Sequence, residues 1–169
     1  CRPAVRRDAS ITTQTEIALQ IEVLKVSLIC VALSAGAALA HTGATGVVKQ
    51  RMEMMGDIAA QMKTIARVLN GQDQFNPSPV AASAKRIAEH AEMFEKMFPE
   101  GTTSSPSEAL PEIWINWDEF EQQADAMKSS ALALATAAET AGGPLDIKKP
   151  FRQLGMSCKS CHQDFRQKK

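Results

Sequence analysis

Ile113-Trp114-Ile115-Asn116-Trp117-Asp118-Glu119-Phe120 opens a stretch that runs to Ala138. Its apolar residues stand at Ile113, Trp117, Phe120, Ala124, Met127, Ala131, Leu134 and Ala138. The steps alternate four and three without a slip, the period of a helix that buries one stripe. Three more stretches share that period. The first carries Val48, Arg51, Met55, Ile58, Met62, Ile65 and Leu69. The second carries Val80, Ala84, Ile87, Ala91, Phe94 and Phe98, and the last Phe151, Leu154, Cys158, Cys161 and Phe165. No stretch alternates with period two, and β-branched residues are sparse.

Three loop-forming clusters separate these stretches: Asn70 to Pro79, Pro99 to Pro106 or Pro111, and Ala141 to Pro150. Ser78 or Pro79 is expected to begin the second helix, and Ser107 with Pro111 the third. Gly71 and Gly142 are expected to end the first and third. Three-four spacing is the seam of helices crossing at about 20°. The expected fold is therefore all-α, a four-helix bundle, and short connections make neighbours antiparallel in up-down-up-down order. The start of the first helix then lies beside the end of the last.

The last helix holds the chemistry. Cys158-Lys159-Ser160-Cys161-His162 sets two thiols three residues apart with a histidine directly after the second. On a helix both thiols fall on nearly one face, so they can bond the two vinyl groups of one porphyrin edge. His162 then gives a nitrogen to the iron as proximal ligand. A redox disulfide would want alternating strands and helices around it, which are absent. A structural zinc site needs four ligands, and no second Cys/His pair exists. The motif specifies haem c, covalent and one per chain.

Residues 1–40 stand outside the fold argument. Lys25 precedes an apolar run from Ser27 to Leu39 that ends in small residues, Ala38-Leu39-Ala40, the pattern of a secretory signal. Cleavage is expected between Ala40 and His41, leaving residues 41–169 as the bundle and no stable membrane anchor. Cys1 to Glu22, with three acids, reads as an upstream stretch without a role in export. Beyond His41 the cysteines are Cys158 and Cys161 alone, as haem attachment on the outer side of a bacterial inner membrane requires. Removing Arg2, Arg6, Arg7 and Lys25 from the 19 basic residues, and Asp8, Glu16 and Glu22 from the 19 acidic, leaves 15 against 16. That near-neutral balance implies no nucleic acid and argues against strong steering by a highly charged partner.

The far side of the iron should be furnished by the first turns of the first helix, Val47 to Gly56. Met52, Met54 and Met55 compete there, and thioether sulfur ligates iron in cytochromes c. Met55 alone is on the inner series; Met52 lies on its flank, and Met54 is expected outward or toward a neighbour. Met55 is thus the candidate sixth ligand, or else packs over an open iron. Arg51, one turn earlier, calls for an anionic partner such as a haem propionate. Arg166, one turn after His162, is expected on the proximal side. His41 and His90 carry no expected role, and Trp114 and Trp117 are expected to pack in the third helix.

These residues resemble the class II cytochromes c, the cytochrome c-prime group. The resemblance spans about residues 42–169: Arg51 with Met55, Gly71, Phe98 to Thr102, Ile113-Trp114, and Cys158 to Arg166. It implies that position 55 stands over the distal face of the iron. High-spin members carry a noncoordinating residue there and bind nitric oxide or carbon monoxide; low-spin members carry methionine and transfer electrons. Met55 points to the second branch. The leading expectation is therefore a periplasmic, non-enzymatic electron carrier with redox partner proteins, and the alternative is a gas-binding protein with an open distal site. A homodimer through the first helix is a further implication. Peroxidase-like catalysis would want a polar acid–base residue over the iron, and Glu53 is out of phase with that face.

Overall fold

The computed structural model describes residues 43–168. The expected signal segment, its cleavage point and His41 lie outside them. Six helices follow in order: α1 (Gly46–Leu69), α2 (Pro77–Glu92), α3 (Phe94–Met97), α4 (Glu112–Ile115), α5 (Trp117–Thr140) and α6 (Lys148–Phe165). The long ones, α1, α2, α5 and α6, are the four of the bundle. None of the described helices is long and apolar enough to cross a membrane.

Two helices expected as continuous are divided. The second breaks at Met93, with α3 as its stub. The third breaks at Asn116, whose φ of −117° and ψ of 50° are not helical, so α4 is a separate turn before α5. The apolar stripe survives the break, because Ile113 and Phe120 are both buried in one core. Periodicity reports which residues go inside, and a one-residue interruption need not disturb it.

The helix ends follow local chemistry. Gly71, at φ +69°, closes α1 in the left-handed region, where a side chain would be strained. The Arg67 guanidinium then grips both carboxylate oxygens of Asp73 at 2.7 Å across the turn. The second helix begins at Asn76 and Pro77, not Ser78 or Pro79: the Asn76 side chain accepts from Ser78 N at 3.1 Å, and Pro77 occupies the first turn. Ala141, with ψ 133°, ends α5 one residue before Gly142. Gly142 and Gly143 instead donate their N–H groups to Asp146, shaping the turn into α6.

Packing is uneven around the bundle. α2 lies closely along α5, and α5 along α6. α1 packs on α2, while the α1/α6 pair is not among the closely packed ones. Ile87, Leu134, Phe120 and Leu154 are fully buried in the first group. At the bundle end holding the 97–110 connection, Phe120 sits among Phe98, Phe165 and Phe94, with centroids at 4.8, 5.5 and 6.2 Å. Trp114 caps this cluster by donating its indole N–H to Phe98 O at 2.9 Å.

Candidate functional site

Cys158 and Cys161 lie one turn apart on the inner side of α6, both free thiols, half-buried against the core. Burial pushes both thiols up, Cys161 to about 11, with the charges of Cys158 and Asp164 adding to it. Low polarity around paired, unbridged thiols suits an apolar macrocycle and opposes a metal thiolate. Among the described residues no cluster of His, Cys, Asp and Glu could hold a metal ion by itself. The residues present fit haem c, which supplies a one-electron iron centre able to take axial ligands.

His162 is exposed. Its imidazole is held below the ordinary value by burial of part of the ring and then by the Arg166 charge, while Glu108 opposes them. A neutral imidazole is the form that ligates iron. Asp164, two residues on, accepts from Gln123 of α5 at 2.8 Å, so that flank of α6 faces α5. His162 sits on the opposite flank.

Arg166 reaches Glu108 through Nε at 2.7 Å and a terminal nitrogen at 2.6 Å. Backbone bonds reinforce the pair: Leu110 N donates to Phe165 O at 3.0 Å and Gln167 N to Glu108 O at 2.8 Å. Glu108 carried no sequence signal, being one polar residue in a loop. The end of α6 is thereby sewn to residues 108–110.

The start of α1 comes to the same place. Arg51, 4% exposed, donates from Nη2 to Thr102 O at 2.8 Å and Ser107 Oγ at 2.7 Å, and from Nη1 to Thr102 Oγ1 and Met97 O. Its guanidinium also lies 4.4 Å from the Phe98 ring centroid. The expectation that a buried arginine here calls for an anion needs correcting: four neutral oxygens and an aromatic face suffice. Among the described residues these bonds leave Nε–H as the guanidinium donor open to a propionate. Ser107 shares its hydroxyl with Ala109 N at 3.2 Å, so Arg51 and Arg166 grip adjacent residues of one loop.

Met54, not Met55, is the methionine committed to the core, at 8% exposed; the neighbour it meets is the core itself. Asp57 shows which way α1 is turned. Its carboxylate accepts from Arg86 Nε at 2.9 Å, stands 2.6 Å from His90 Nε2, and takes Gln61 Nε2 at 3.0 Å, so the 57/61 flank faces α2. His90 is thus partnered by an aspartate. The flank turned away from α2 carries Met52, Met55, Ala59, Met62 and Ala66, at steps of three and four. Met52, Met55 and Met62 are all half-buried. Met55 therefore lies on the side of α1 turned from α2, one turn after Arg51, half-buried against the core. Trp117 is bonded to Glu121 at 2.5 Å and touches Phe120 within the cluster.

A four-helix bundle with a covalent haem-attachment motif on its last helix defines the class: a c-type haem protein of the bundle type. The family model described as cytochrome C' matches residues 46–166. The chain belongs to the cytochrome c' family. A cytochrome c' from Pararhodospirillum photometricum is 38% identical over 121 residues, covering 70% of this chain and 92% of that one. Cytochrome c-556 from Agrobacterium fabrum is 30% identical over 151 residues, covering 89% of this chain and 99% of its own. Among solved structures, a ferrous variant of cytochrome c' from Alcaligenes xylosoxidans with bound NO has a TM-score of 0.65 at 27% identity. That likeness covers 73% of this chain and 94% of the other.

Proposed function

We propose that the protein is an exported haem c protein whose iron, held from one side by His162, takes a diatomic gas on the side facing α1. The observation that carries this reading is the seam. α1 is fixed by polar contacts at Arg51 and Asp57, and its outward flank presents half-buried thioether and methyl groups without packing closely on α6. Such a wall is apolar and yielding, suited to a small uncharged ligand and devoid of an acid–base group. Cys158 and Cys161 would hold the macrocycle through thioethers and His162 would supply the proximal nitrogen, while Arg166 holds the end of α6 to Glu108. The solved relative with bound NO supports this reading.

Electron transfer is the second reading, favoured by one observation: Met55 is only half-buried, on the flank turned from α2, where it packs against the edge of the core. Ligation by that thioether would close the iron and leave only outer-sphere electron exchange. The relative termed cytochrome c-556 is compatible with either. Export to the bacterial periplasm follows from the leader pattern. The 151-residue match to that relative is longer than residues 43–169, so it takes in part of the leader region.

Visible spectra of the reduced holoprotein with and without carbon monoxide decide between the readings. Gas binding predicts an immediate spectral shift that persists in Met55→Leu. A sharp low-spin spectrum, indifferent to carbon monoxide until Met55 becomes leucine, would overturn gas binding and establish the carrier.

A further inference from the structure

The net charge of the bundle hides a strong separation. Between Lys148 and Lys168 six basic residues face one acid, Asp164, whereas Glu112 to Asp125 holds five acids and no base. On α6, Lys149, Arg152, Met156, Lys159 and Gln163 recur at steps of three and four and are all exposed, forming one outward face. Lys148 is exposed beside them. Among the described residues no ion pair occupies Lys148, Lys149, Arg152 or Lys159; the one acid within the helix, Asp164, is on the α5 side with Gln123. Lys159 lies one turn before His162. In the middle of the face stands Met156, 64% exposed, among the most exposed large apolar side chains described.

An apolar centre within a charged rim is the anatomy of a protein-binding surface. Like charges along one helix face repel one another, so leaving four uncompensated works against helix stability. Their benefit lies in what they attract. We propose that this outward face of α6, built on Lys149, Arg152, Met156 and Lys159, docks an acidic face of a partner protein. An anionic membrane would be the other recipient of a basic helix, but it requires a free apolar stripe to enter the bilayer. The stripe of α6 is already committed: Leu154 is 0% and Phe165 3% exposed, inside the core.

The placement gives the docking its purpose, which rests on the haem reading above. The same helix carries Cys158, Cys161 and His162, so a partner on its outer face comes within about one helix diameter of the macrocycle. Electron delivery to the iron, for gas chemistry or for relay, then requires no rearrangement of the bundle. The near-neutral total charge misleads here, since a local field steers an encounter when charge is segregated.

The test separates docking from haem chemistry by reading binding alone. Isotope-labelled holoprotein is titrated with poly-L-glutamate at low ionic strength, following backbone amide shifts. The expected result is a shift cluster at residues 148–163 that collapses between 10 and 200 mM salt, on the order of the screening expected for exposed charges. The Lys149→Glu, Arg152→Glu, Lys159→Glu triple variant should lose it with its visible spectrum unchanged, and Met156→Ser should weaken it several-fold. Shifts centred on Lys49, Lys63 or Lys96 would overturn the proposal, as would none at all. Co-sedimentation with phosphatidylglycerol vesicles but no response to polyglutamate would overturn it in favour of a membrane surface. A failed carbon monoxide assay would bear on the haem reading and leave these outcomes intact.

Discussion

Replacing Arg51 by alanine tests the clamp between α1 and the 97–107 connection. The two short bonds from Nη2, at 2.7 and 2.8 Å, join a cation to neutral oxygens, each worth roughly 1.5 to 3 kcal/mol. The Nη1 bonds, at 3.2 and 3.4 Å, add little, and the contact with Phe98 adds about 1 kcal/mol. Against this stands the burial of the guanidinium, which already pulls its pKa down and which the variant relieves. The balance is a loss of about 3 kcal/mol, a guanidinium chloride midpoint lowered by about 0.5 to 1 M. Lysine at this position keeps the charge but cannot fork between Thr102 and Ser107, so it should recover no more than about half. Among the described residues no carboxylate takes part, so the loss should be the same at pH 5 and pH 7. The assay is unfolding of the holoprotein by circular dichroism, with limited proteolysis of the 97–107 loop. A loss below about 1 kcal/mol, or a lysine variant as stable as the parent, would refute the clamp. A shifted reduction potential with an unchanged loop would make Arg51 a propionate partner first.

Asp57→Asn tests the α1/α2 contact in a pH-dependent way. His90 first, then Gln61 and Arg86, hold the Asp57 carboxyl well below the usual range, so its contribution is complete above about pH 4 and disappears as the pH falls through the native value. The asparagine variant should lose about 1 kcal/mol at pH 7, since the group is partly solvated, and the gap should narrow in acid unfolding below pH 4. Gly71→Ala meets no atom within 4 Å, so its cost is backbone strain alone, about 1 kcal/mol by thermal unfolding; an unchanged midpoint would contradict it. Removing both thiols in Cys158→Ala, Cys161→Ala should let acid acetone extract the haem, which the parent retains. Extraction from the parent would refute covalent attachment.

Much of this was legible in the sequence because the informative quantities are periodic. The stripe from Ile113 to Ala138 is buried almost as written, and Cys158, Cys161 and His162 need only helical spacing to be understood. What was not legible has several physical causes. Asn116 and Met93 interrupt helices without disturbing the stripe, so a pattern of burial passes over them. Asn76 before Pro77 is as good a cap signal as Ser78 before Pro79, so local chemistry alone does not choose between them. Met54 and Met55 are not separable by spacing, because Arg51, Met54 and Ile58 step by three and four just as Arg51, Met55 and Ile58 do. Glu108 and the oxygens of Thr102 and Ser107 could not be foreseen, since loop conformation decides which polar atoms meet an arginine. The charge on α6 was visible but was averaged away by counting the whole chain.

The way α1 is held connects these details. A helix docked by its apolar stripe alone settles as deeply as packing allows, and would tend to close the seam on α6. α1 is fixed differently. Arg51 ties one flank to the 97–107 loop, Asp57 ties another to Arg86 and His90 of α2, and Met54, Ile58 and Ile65 supply the burial between them. Hydrogen bonds have set lengths and directions, so they fix a distance that packing by itself would shorten. The remaining flank, with Met52, Met55 and Met62, is thereby held half-buried at the edge of the core, without close packing of α1 on α6. Methionine suits such a wall, because its unbranched thioether can yield to a guest or ligate iron without a new backbone position. Gas binding and electron transfer would then differ by the placement of one flexible side chain, which explains how a single bundle design can serve either.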